Sequence, residues 1–157
     1  MSYDSTADTL KHAQRVGELM VQVVGELIRR VPIHDKSKTE QPELDVFNEY
    51  TPKLRDSTFG SDEYKEFLEG MGEGLAHHYE HNRHHPEHFE DGVDGMTLVD
   101  LVEMICDWRA ATERHENGSI RRSLEVQQPR FGISDQLRAI LTNTVEYFGW
   151  MDVEEDG

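Results

Sequence analysis

From Thr6 to Val31 the apolar residues Leu10, Val16, Leu19, Met20, Val23, Val24, Leu27, Ile28 and Val31 recur mostly at three- and four-residue steps. That rhythm matches the helical repeat and not the two-residue repeat of a strand. It returns through most of the 157 residues, and no convincing strand pattern interrupts it. The expectation is an all-α chain of about five to seven helices.

Breakers and caps punctuate the pattern. Pro32 ends the first helix, because it lacks the N–H needed to continue the ladder. Gln41–Leu54 reads as a second helix with Pro42 in its first turn, broken or restarted at Pro52. Ser57–Gly60 reads as a linker, and Ser61 as the N-cap of a helix running through Leu75 into a histidine-rich stretch. Pro86 and EDGVDG form a loop, Thr97–His115 a strong helix stopped by Asn117-Gly118, and Ile133–Met151 a last helix with Ser134 near its start. The segment SIRRSLEVQQPRFG is the least regular and reads as a mobile loop. A single domain over 1–157 is expected, with its core at 6–151 and an acidic tail at 152–157.

Composition narrows the function classes. A net charge of −16 argues against a nucleic-acid polymer as partner, since such binding rests on a basic surface. It leaves a small phosphorylated substrate open, because a bound cation can invert the local field. No apolar run is long enough to span a membrane, and MSYDSTADTL lacks the basic and apolar regions of a secretory signal. With one cysteine, Cys106, no internal disulfide forms, which fits a cytoplasmic location. Cys106 lies in the run LVDLVEMICDW and reads as a buried, inert thiol. Trp108, Trp150 and Tyr147 read as core.

Two polar stretches stand out. One is IHDKSK, Ile33–Lys38, directly after the first helix. The other is AHHYEHNRHHPEHF, Ala76–Phe89, which holds six of the nine histidines. His12 precedes Val16, Leu19 and Val23 by four, seven and eleven residues and so shares their face. Alone, it reads as a core histidine. Asp107 borders the apolar face of its helix, where a carboxylate needs a cation or a basic partner such as Arg114. Two imidazoles and two carboxylates suit a divalent ion such as Mn, Fe, Co, Ni or Zn.

HAQRVGELM, IHDKSK and MICDWRAA together resemble the HD-domain superfamily of metal-dependent phosphohydrolases. The likeness covers Leu10 to Thr112, about two thirds of the chain. It is nearest to small phage and bacterial members, which share the Pro42-Glu43 pair and the HNRHH run. The resemblance implies a compact HD-like bundle and first-metal ligands His12, His34, Asp35 and Asp107. It also implies a phosphohydrolase that attacks a small nucleotide or related phosphate ester with a metal-activated water. A homodimer is common among such relatives.

Other roles follow less directly. His77, His81 and His85 are spaced to chelate a second ion; the alternatives are contacts to substrate phosphate or a solvated, pH-sensitive patch. Lys38, three residues after Asp35, can point at the same cavity and neutralise phosphate, or is a solvated loop lysine. Asp35 would both ligate and orient. Arg15 offers a second phosphate contact, or pairs with Glu18. Glu43, Glu87, His81 and His84 are the candidates for moving a proton, and His84 also for contacting substrate. His88 reads as surface. Arg121, Arg122 and Arg130 form either a basic lid or a solvated loop. Two other classes remain: a di-iron oxygenase of the HD fold, to which extra histidines would be suited, and a non-catalytic metal-binding or sequestering module.

Overall fold

The computed structural model describes residues 3–58, 60–114 and 118–151. Every regular element among them is helical: seven α-helices and three short 3-10 turns. The chain divides into two compact units, Met1–His34 and Asp35–Gly157, where the sequence suggests one domain. No helix among the described residues is long and apolar enough to cross a membrane.

The first unit is one helix, α1 (Thr6–Arg30), followed by a turn. None of its residues is buried. Within its own unit the helix has no second surface to bury against, so the expectation that His12 faces inward fails there. His12 is exposed on α1. Arg15 is also exposed, and its guanidinium donates to Glu18 Oε2 at 2.8 Å.

In the second unit come α2 (Glu43–Asp56), α3 (Asp62–Gly70), α4 (Gly72–His81), α5 (Leu98–Thr112), α6 (Ile120–Phe131) and α7 (Asp135–Tyr147). Three 3-10 turns lie at Lys36–Thr39, Pro86–His88 and Gly92–Gly95. Helix α2 continues through Pro52 rather than breaking there. The helix expected from Ser61 into the histidines is two helices, meeting at Met71 and Gly72. Gly72 has φ +46, a left-handed value that favours glycine. Ser61 and Ser134 do cap their helices, accepting from the N–H groups of Tyr64 and Leu137. Thr97 and Asp100 form a reciprocal capping box at the start of α5, which satisfies two otherwise unpaired donors. Arg83 reinforces it, donating to both carboxylate oxygens of the buried Asp100 at 3.2 and 3.1 Å.

The apolar core is built from α5, α6 and α7. Met104, Ile105 and Trp108 pack with Ile120 and Leu124 and with Leu141 and Val145, and Val93 and Ile133 complete the cluster. Three sequence expectations change here. SIRRSLEVQQPRFG is not an irregular loop but α6, capped by Ser119, which accepts from Arg122 N–H, and closed by Gly132 at φ +63. Tyr147, the last residue of α7, is exposed, and so is Cys106 on α5. The Cys106 thiol is still pushed up in pKa, first by partial desolvation and then by Glu103 and Asp107, so it stays protonated. Trp108 is buried, and Trp150 packs against the core. Helix α5 ends at Thr112. The Asn117-Gly118 stop falls partly, and the acidic tail wholly, outside the described residues.

Candidate metal centre

The centre starts where the first unit ends. His34, half-buried, closes that unit, its backbone N–H donating to Arg30 O at 2.8 Å. Asp35 opens the second unit with φ +56. A non-glycine residue in the left-handed region is uncommon, though Asp tolerates it better than most, and such backbone collects at functional sites. The turn sends the Asp35 carboxylate toward the histidine-rich stretch.

Three imidazoles meet it there. His78 Nε2 lies 3.3 Å and His84 Nε2 3.4 Å from Asp35 Oδ1. His78 Nε2 lies 3.0 Å from His85 Nε2. One ligand atom from each of Asp35, His78, His84 and His85 falls within 4.8 Å of all the others. His78 and His84 are only 1% and 2% exposed, so these are fixed side chains and not a solvated patch. Chain geometry explains the choice of histidines. Helix α4 stops at His81, and Asn82 takes extended backbone. The strand-like exit turns His84 and His85 back over His78 instead of carrying them along the helix face.

A second layer holds His78. The Glu43 carboxylate is fully buried at the start of α2. It accepts from His78 Nδ1 at 2.8 Å, from His77 Nδ1 at 2.7 Å and from Ser37 Oγ at 2.9 Å. Asn82 Nδ2 donates to Ser37 Oγ and to His78 O, both at 2.8 Å. With the Nδ1 proton committed to Glu43, the Nε2 lone pair of His78 faces Asp35 and His85. Metal-binding histidines usually carry such a partner on the far nitrogen.

The charge states fit this arrangement. Burial works against ionising Asp35, but the neighbouring His78 and His84 imidazoles and the Lys38 ammonium outweigh it, holding the carboxyl well below its usual range. Lys38 Nζ donates to Asp35 Oδ2 at 2.6 Å. Burial, then the neighbouring His84 and His78, pushes His85 down to about 2 against the opposing pull of Asp107. Glu43 is also lowered, burial being overcome by its His77, Ser37 and His78 donors. An ionised carboxylate and a neutral imidazole are the forms that bind cations.

The centre opens into a cleft of ≈ 790 Å³ within the second unit. Asp35, His78, His85 and Asp107 line one part of it. Lys38, Arg55, Arg114, Arg122 and Arg130 bring positive charge, and Leu54, Leu68, Met71 and Leu75 an apolar wall. Glu87 lines it too, accepting from Arg130 at 2.9 Å.

Of the expected ligands, Asp35 and Asp107 line this one cleft, while His12 and His34 belong to the first unit. The trio His77, His81 and His85 separates. His77 is tied to Glu43, and His81 is exposed, stacked on His77 with ring centres 4.0 Å apart. His85 joins His78, a residue the i, i+4 spacing did not single out. His88, expected at the surface, is half-buried and donates from Nδ1 to Tyr79 O at 3.1 Å.

Residues 1–147 match the family described as "Family of unknown function (DUF5662)". The chain belongs to DUF5662. No curated protein and no solved structure matches it.

Proposed function

We propose that the chain is a metal-dependent phosphohydrolase acting on a small phosphate ester, with Asp35, His78, His84 and His85 holding a divalent cation. One observation carries the metal. His78 Nε2, His85 Nε2, His84 Nε2 and Asp35 Oδ1 are linked by separations of 3.0, 3.3 and 3.4 Å. Ligand atoms bonded at about 2.0–2.2 Å to one ion lie about this far apart. Imidazole lone pairs turned on one another repel, and a shared cation removes that repulsion. Asp107, in the wall of the same cleft, is a further ligand under the HD resemblance.

When bound, the ion would lower the pKa of a coordinated water toward neutrality and polarise a phosphoryl oxygen. The protein supplies the rest. Lys38 neutralises phosphate charge beside Asp35, and Arg122 and Arg130 do so farther along the cleft. Glu43 keeps the His78 proton on Nδ1 and the ring fixed, which makes it a positioning residue. Its burial and three hydrogen bonds argue against a proton-shuttling role.

The test is metal analysis of protein purified without added metal, followed by phosphate release from a panel of phosphate esters with Mn, Fe, Co, Ni or Zn. The expected result is a near-stoichiometric first-row ion and metal-dependent phosphate release, both lost in Asp35→Ala. Protein that binds no ion would overturn the reading. Two irons with oxygen consumption and no phosphate release would transfer it to the oxygenase class.

A further inference from the structure

The chain holds 32 acidic and 16 basic residues, yet the cleft is lined by four acidic and five basic ones. Most of those charges are matched. Lys38 pairs with Asp35, Arg55 with Asp56 and Arg130 with Glu87. Among the described residues, Arg114 and Arg122 in the same lining have neither an ion pair nor a side-chain hydrogen bond. A backbone contact brings their segments together. Arg114 follows the last turn of α5, and Arg122 lies in the first turn of α6. A Cβ on Gly118 would overlap Thr112 O, so glycine there lets the end of α5 meet the start of α6. Helix α6, twelve residues long, is capped by Ser119, and the N–H groups and dipole of such a helix end attract anions. Ser123, one turn in, is only 6% exposed and also lines the cleft. Its hydroxyl has no hydrogen-bond partner among the described residues, and it is not sealed off as the Gln127 amide oxygen is. This part of the cleft gathers donors and supplies no acceptor for them.

From this we infer that Arg114, Arg122, Ser123 and the first turn of α6 form a second phosphate subsite, so that the ligand carries two phosphoryl groups, one at the metal centre and one here. The inference rests on the phosphohydrolase reading for the first group, while the second is argued from these donors alone. A phosphoryl group suits them because its free oxygens accept guanidinium, hydroxyl and backbone donors together. A cleft of ≈ 790 Å³ has room for both groups and a small organic part, since small-molecule sites span about 300–1,000 Å³. The ligand class is therefore a diphosphate or bisphosphate, rather than inorganic phosphate or a simple monoester.

The test is calorimetry on full-length, metal-loaded protein with two matched pairs of probes. Adenosine 5′-monophosphate and adenosine 5′-diphosphate test adjacent phosphoryl groups; fructose 6-phosphate and fructose 1,6-bisphosphate test separated ones. In at least one pair the doubly phosphorylated member should bind the wild type about tenfold more tightly or better. Arg122→Gln should remove about tenfold of that member's affinity and Ser123→Ala about threefold, with the singly phosphorylated member held within about twofold. Lys65→Gln, an equal change of charge on α3 at an exposed residue that does not line the cleft, should alter neither. No preference in either pair would overturn the inference, as would equal weakening of both members or an equal effect of Lys65→Gln. So would a preference that survives Arg122→Gln and Ser123→Ala, since chelation of the metal by the probe would then explain it. The expected pattern of binding without phosphate release from any probe would instead overturn the hydrolase reading and leave the subsite standing.

Discussion

His77 and His81 differ from His78, His84 and His85 in what their surroundings ask of them. The first two stack against each other, with His81 exposed and His77 one of three donors to Glu43. The other three converge on Asp35, two of them almost wholly buried. A stretch this dense in one residue type is thus two structures. One supports the centre from behind, and the other forms it. Burial and the company of a carboxylate separate them, while sequence proximity does not.

The largest break in this comparison comes from the Asp35 side. Asp35→Ala or His84→Ala should lower metal affinity by about a hundredfold or more and remove phosphate release, as read by calorimetry and a phosphate assay. Glu43→Gln should act next most strongly, at about ten- to a hundredfold in affinity, with a lower melting temperature because three donors lose an ionised acceptor. An unchanged affinity in Glu43→Gln would mean that the His78 ring is held by packing alone.

Acid should expose the same division. His85 is neutral in the folded state down to about 2, whereas an unfolded imidazole takes up its proton near 6.5. The unfolded chain therefore binds more protons below about 6.5, and the metal-free protein should lose stability as pH falls through that range. One such proton contributes a slope of up to about 1.4 kcal/mol per pH unit. Asp35, held below its usual range, contributes stability above the ordinary carboxylate pKa that is lost in stronger acid. Denaturation midpoints of wild type and His85→Gln at pH 7 and pH 5 check this; the variant should show the shallower loss. Smaller still is His77→Ala, expected to cost about 1 kcal/mol through one lost donor to Glu43 and to weaken metal binding only a few-fold. His81→Ala should change neither by a measurable amount, and a large loss there would erase the distinction between the two groups.

Much of the fold was legible because helix signals are local. Ser61 and Ser134 announced their caps, and Leu98–Thr112 its apolar density. Helix α6 was not, because its buried face includes Ser123 and Gln127 and its interior Pro129, so the apolar rhythm that reveals a helix is diluted by residues turned toward the cleft. Helix α1 is the converse. Its rhythm is clear, yet a lone helix in its unit buries none of it. At the centre, Asp35 and Lys38 were visible from the IHDKSK stretch. His78 was missed because i, i+4 chelation presumes that the helix continues, and it ends at His81. The one available signal was Asn82, a residue suited to ending a helix, placed between the two groups of histidines. Glu43 was visible as a carboxylate, but its work as an anchor for His77 and His78 depends on a contact across about thirty-five residues that spacing cannot express.

The most direct measurement is calorimetric titration of metal-free protein with Mn or Zn, run in parallel on wild type, Asp35→Ala and His81→Ala. A divalent ion bound by wild type and by His81→Ala, and not by Asp35→Ala, is the predicted result. Binding that survives in Asp35→Ala and disappears in His81→Ala, or that is missing from the wild type, would contradict the account.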